Sequence, residues 1–268
     1  MLKVMHQSAA HFSRSFLTLL VAALLSFGSM HARAQQNLPT VDPLNSSMWD
    51  DMHQRLLGGL PVVFDERVKV IAPGSAEDSM NVPVKVDASA LGAVRRMVVF
   101  AELNPIPRIL EMQPGQAVPA VSFNFKVQQA TPLRAAALDE DGVWHVGSVL
   151  LDASGGGCTQ PSVGSANADW SAQLGKVTAR LWPRGSGQRL RLRVMHPMDT
   201  GLADHIPVFH IERLEVNDRQ GNTLAALKLY EPVSENPTLT LDLESAQPVD
   251  LYAVDNNGNQ VHAVVLGD

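Results

Sequence analysis

Apolar residues in this chain alternate with polar or small ones at a period of two, repeatedly, from Val68 to Val265. That period sets every second side chain on one face of an extended segment, so it fits half-buried strands and not amphipathic helices. In the first half the pattern is carried by Val68/Val70, Val82/Val84/Val86, Val121/Phe123/Phe125/Val127 and Trp144/Val146. Met97 to Phe100 is a continuous apolar run, suited to a strand buried on both faces. Pro73, Asn104-Pro105, Pro107 and Pro114-Gly115 punctuate these runs, and Asp141-Gly142 predicts a hairpin turn. The second half repeats the pattern in Val177/Ala179/Leu181, Leu190/Leu192/Val194, Leu239/Leu241/Leu243, Val249/Leu251/Ala253 and Val261/Ala263/Val265. Ile211–Val216 and Leu224–Tyr230 add two less regular strands. So many short strands with almost no helical period predict an all-β chain built as antiparallel sandwiches. One short helix is expected ahead of them, from about Ser47 to Leu57, with Ser47 as N-cap and Gly58-Gly59 as the stop. Met48, Met52 and Leu56 would form its packing face.

The alternation stops once, between Asp152 and about Gly175, in a stretch of Ser, Gly, Ala, Thr and Asn. A break of this length marks a linker or a functional loop. It divides the chain into a first sandwich, residues 41–152, an arm or linker, 153–173, and a second sandwich, 174–268. Within the break lies the only cysteine, Cys158, directly after Gly155, Gly156 and Gly157. Three glycines free the backbone, so the thiol is expected on a flexible string and not in a core. Fully extended, Ser154 to Cys158 would reach roughly 14 Å, enough to enter a pocket of another protein.

Residues 1–34 carry Lys3 and Arg14 ahead of an apolar stretch, Phe16–Phe27, and then the small-residue site Ala32-Arg33-Ala34. This order predicts a cleaved secretory signal peptide and a periplasmic protein, with no later segment fit to cross a membrane. Losing Lys3, Arg14 and Arg33 leaves 18 basic against 27 acidic residues, a net charge of −9. Nucleic acid and anionic membrane are poor partners for such a surface. An odd cysteine in an oxidising compartment points to intermolecular chemistry or a reactive free thiol.

The motifs of hydrolases, nucleotide-binding enzymes, thiol oxidoreductases and zinc proteases do not occur, and no cofactor is implied. Met195, His196 and Met198 offer thioether and imidazole groups that could bind copper, with His205 and His210 nearby, but one loop supplies few ligands and no metal residue is assigned. No lysine, arginine or histidine lies between Asp152 and Leu174, so nothing local activates the thiol. A catalytic nucleophile would be poorly served by this. A handle worked on by other proteins would not, and the chain is read as a non-enzyme.

Several segments resemble a known family. Ala72-Pro73, Ala76-Glu77-Asp78, Val82-Pro83-Val84, Glu102 to Pro107, Ala136 to Gly142 and Gly156-Gly157-Cys158 are similar to SoxY, the sulfur-carrying subunit of the periplasmic Sox thiosulfate-oxidation system. His196-Pro197-Met198-Asp199-Thr200-Gly201, within about 174–268, resembles its partner subunit SoxZ. The whole is similar to fused SoxYZ-type carriers associated with quinoprotein dehydrogenases. The resemblance implies two immunoglobulin-like sandwiches packed as a pseudo-heterodimer, Cys158 as the covalent attachment point for a sulfur intermediate, and Gly155, Gly156 and Gly157 as a swinging arm. It implies periplasmic oxidoreductases or Sox-type enzymes as partners, among them a quinoprotein dehydrogenase. Two other readings stand beside it: an assembly module for that dehydrogenase with an incidental thiol, and a copper-binding protein. In the two-subunit carrier the cysteine lies near a free C-terminus, whereas here some hundred residues follow it, so the arm would enter a partner as a loop.

Overall fold

Alternation of buried and open positions, as over Val82–Asp87, where Val82, Val84 and Val86 turn inward, builds two stacked sheets. The computed structural model describes residues 38–163 and 170–267. The expected signal peptide, 1–34, and the centre of the linker, 164–169, lie outside the described residues. The first half contributes β1 (Val62–Phe64), β2 (Lys69–Ile71), β3 (Ser75–Ala76), β4 (Val82–Asp87), β5 (Arg96–Ala101), β6 (Arg108–Gln113), β7 (Ala117–Phe125), β8 (Thr131–Leu138) and β9 (Trp144–Ala153). The second contributes β10 (Val177–Arg184), β11 (Gly187–Val194), β12 (Ile211–Asn217), β13 (Thr223–Leu229), β14 (Thr238–Leu243), β15 (Val249–Asp255) and β16 (Gln260–Val265).

Both halves feed both sheets. One sheet runs β1-β9-β8-β5-β6-β13-β12-β15-β16, with β3 also on β9; the other runs β10-β11-β14-β7-β4-β2. The all-β expectation holds, and each half is a sandwich. The halves are packed together, and the linker between them leaves neither one separate. They meet edge to edge, β6 on β13 and β7 on β14, both antiparallel. One hydrophobic core then continues across the seam, from Val84 and Phe123 to Leu192 and Leu251. From Leu38 onward the chain is one compact unit. The physical reason is the edge: an unpaired strand edge with apolar neighbours is covered wherever a matching edge is tethered nearby.

The helix α1 spans Trp49–Leu57 and ends at Gly58 in the left-handed region, as expected. Its N-cap is Met48, without a side-chain cap, and not Ser47; Ser46 Oγ instead accepts from Met48 N–H at 3.3 Å. Trp49, Met52 and Leu57 pack on Val98, Phe100, Ala136 and Trp144, the outer face of the longer sheet. Since Met97, Val99 and Ala101 face the inner core, β5 is buried on both sides, which accounts for its unbroken apolar run. Arg134 anchors the segment before the helix: its guanidinium is fully buried, meets Glu102 at 2.7 Å and Asp42 at 2.6 Å, and lies 5.0 Å from the Trp49 ring. No helix of the described residues is long and apolar enough to cross a membrane.

Candidate functional site

Cys158 departs from its expected setting. Gly157–Thr159 is a 3-10 turn, and Cys158 is 1% exposed. The preceding glycines are held, not free. Gly155 and Gly156 take φ of +97° and +88°, and Gly156 N–H and Gly157 N–H donate to the carbonyls of Gln128 and Val127 at 3.1 and 3.0 Å. A Cβ at Gly157 would sit 2.0 Å from the Ser79 carbonyl oxygen, and one at Gly155 2.5 Å from that of Gln128. The run is glycine because two backbones touch there and because its φ values favour residues without a Cβ.

Four residues outside the break finish the enclosure. Gln128 Oε1 accepts from the Cys158 N–H at 3.2 Å, and the thiol donates to the Lys126 carbonyl at 3.5 Å. Thr200 Oγ1 donates to the Cys158 carbonyl at 2.6 Å, and Asp199 Oδ1 accepts from Ser162 N–H at 2.9 Å. The HPMDTG segment, 196–201, therefore closes over the turn from the second half, so the cysteine lies at a junction of the two. Met198 stands at φ +52°, and its carbonyl accepts from the Lys126 ammonium.

The electrostatics are those of a sheathed group. Burial pushes the Cys158 thiol up to about 11, against the pull of the Lys126 charge. Burial also draws Lys126, itself 1% exposed, down to about 8, while Asp199, Cys158, Glu235 and Glu231 favour its charged form. A cation does act on the thiol, but none from the linker: it is Lys126, just past the end of β7 and some thirty residues away, and burial outweighs it. The Val121/Phe123/Phe125/Val127 alternation put Lys126 on the solvent side, and nothing local in the sequence reveals that the second half covers it. Thr200 and Gln128 were likewise missed, although Thr200 lay within the segment that carries the resemblance.

Two of the copper-type donors take part in hydrogen bonds of the fold. His196 Nδ1 accepts from Met198 N–H at 3.1 Å, which occupies its lone pair, and Met198 Sδ accepts from Ile211 N–H at 3.3 Å. Burial lowers His196 to about 4, with Asp255 opposing, which makes it a neutral packing histidine whose ring tilts against Phe209, 4.4 Å between centroids. A cavity of about 290 Å³ lies beside His196 and Asp255, but Cys158 does not line it. Among the described residues no group of three histidine, cysteine or carboxylate side chains is placed to hold a metal ion.

Residues 53–158 match the family model Sulfur oxidation protein SoxY, and residues 182–265 match Sulphur oxidation protein SoxZ. The first match ends on Cys158, and the two occur in tandem over most of the chain. No curated protein matches the sequence. Among solved structures, the sulfur carrier protein SoxY from Chlorobium limicola f thiosulfatophilum is similar at 21% identity and a TM-score of 0.35, covering 40% of this chain and 97% of that one.

Proposed function

The chain belongs to the SoxY and SoxZ families in tandem, a fused SoxYZ-type protein, and on that premise we propose that it is a periplasmic sulfur carrier whose Cys158 thiol holds a sulfur-containing group and presents it to partner enzymes. Cys158 is the only thiol the chain has, and it stands where the SoxY match ends. One observation carries the reading. The Cys158 turn is gripped by the HPMDTG segment of the SoxZ half through Thr200, whose hydroxyl donates to the Cys158 carbonyl, so both halves hold the turn that bears the thiol.

Forming an S–S bond at Cys158 removes its proton and, overall, two electrons, which a partner oxidoreductase must accept. The chain itself is no enzyme in this scheme. With the thiol buried and pushed up to about 11, the docked turn is a resting state that reacts slowly with passing oxidants. Loading then requires release of residues 155–163. Because both ends remain tethered, the segment enters a partner as a loop, with Gly155, Gly156 and Gly157 supplying the hinge.

Intact-mass measurement on protein taken from its native periplasm while sulfur is being oxidised tests this. A labile adduct removed by reductant, and absent in Cys158→Ser, is the expected result. Wild-type protein that never carries an adduct, or a Cys158→Ser strain with full activity, overturns it. The second outcome would leave an assembly module for a periplasmic dehydrogenase, with an incidental thiol.

A further inference from the structure

The outer face of the shorter sheet carries five arginines at one edge. In the β10–β11 ladder Arg180 lies opposite Arg191, Trp182 opposite Arg189, and Arg193 opposite Thr178. The inward positions Leu181, Leu190, Leu192 and Val194 are buried, so the period of two sends Arg180, Trp182, Arg184, Arg189, Arg191 and Arg193 outward. Like charges set directly across a ladder cost stability, and folding alone gives no reason to gather them. Nor does overall composition: without these five arginines, 16 basic residues face 27 acidic ones.

β10, β11 and β14 hold a single carboxylate, Asp242, and it is engaged. Arg189 Nε and Nη2 donate to its two oxygens at 2.8 and 3.1 Å, and Arg184 Nη1 lies 3.2 Å away. Among the described residues Arg191 and Arg193 have no carboxylate partner and are exposed. Between Arg191 and Trp182 the face dips into a depression of about 430 Å³, lined by Trp182, Pro183, Arg184, Arg189, Arg191 and Thr240.

We propose that this face docks an acidic segment of a partner protein, with one carboxylate entering the depression beside Trp182. The Arg189–Asp242 fork already shows the bidentate geometry these guanidiniums take with a carboxylate. Arginine and tryptophan on a rigid surface are the residues that concentrate binding energy at protein interfaces. A lipid surface would call for several apolar side chains projecting past the arginines, and only the partly buried Trp182 and the short, exposed Pro183 are apolar here. The surface does not depend on Cys158, and its test is separate from that of the carrier reading.

The probe is a synthetic peptide of alternating Glu and Ser, titrated into the folded full chain at low and at moderate salt. Binding that weakens with salt and shifts the Trp182 indole N–H resonance is expected. Arg191→Glu/Arg193→Glu should weaken it about tenfold or more. Lys69→Glu/Lys228→Glu, the same charge change elsewhere, should leave it within about twofold. If the first variant does not fold, judged by its melting transition, Arg191→Gln/Arg193→Gln replaces it with the same expected direction. No binding at low salt, or equal loss in both charge variants, overturns the proposal. So does capture by phosphatidylglycerol vesicles, through the same arginines, without peptide binding.

Discussion

At Cys158 and Lys126 two buried groups titrate against their surroundings in opposite senses. The thiol ionises from its ordinary 9.0 when the chain is unfolded but only near 11 in the fold. Between those values the unfolded chain binds fewer protons, so stability falls as pH rises, by about 3 kcal/mol at most. Lys126 loses its proton near 8 in the fold and near its ordinary 10.5 outside it, so its contribution rises with pH over that span. Cys158→Ala removes the first slope and leaves the second. Urea unfolding followed from pH 8 to 11 should therefore show the variant gaining on wild type once pH passes about 9. A difference that stays constant over the range would mean the thiol is as open to water in the fold as out of it.

The turn and strands around that thiol show which elements a sequence reveals. Gly157→Ala would press a Cβ against the Ser79 carbonyl, 2.0 Å away, and backbone on both sides leaves it nowhere to go. It should cost about 2–4 kcal/mol, or displace the turn and speed thiol labelling by an aromatic disulfide. Gly156→Ala, whose nearest atom is the mobile end of Gln160 at 3.4 Å, meets mainly the left-handed φ and should cost about 1 kcal/mol. Equal effects would deny that backbone approach is why Gly157 is glycine. The run Gly155–Gly157 read as freedom because its constraint comes from Ser79 and Val127, far off in sequence. Strands with one wet face, such as β4 and β10, were legible from their alternation. β6 and β8 were not assigned as strands. β8 is buried along its whole length, Arg134 included, so no period of two survives in Thr131–Leu138. Lys126 drew no attention in the sequence for a related reason: a position that alternation within one half turns toward solvent is covered by the other.

Across the whole molecule the seam decides what can move. Met112 pairs with Leu227 and Leu110 with Leu229 on one sheet, Val121 with Leu241 on the other, and Tyr230 reaches Glu111 at 2.8 Å and Arg108 at 3.0 Å. Separating the halves would bare four strand edges and split one core, so the halves should unfold together. Fluorinated tryptophans report this directly, Trp144 in the first half and Trp182 in the second. Their urea transitions should coincide. In Leu227→Ala, which empties a buried site at the seam, both should shift together by a loss of about 2–5 kcal/mol. Two separated transitions would show halves that fold alone. Coincident ones confine motion at Cys158 to its own turn. Labelling of the thiol without denaturant should then quicken in Thr200→Val, which removes the hydroxyl that grips the turn, and respond to Leu227→Ala only through global unfolding. Comparable acceleration in both variants would place the opening at the seam, and loading would then require the two halves to part.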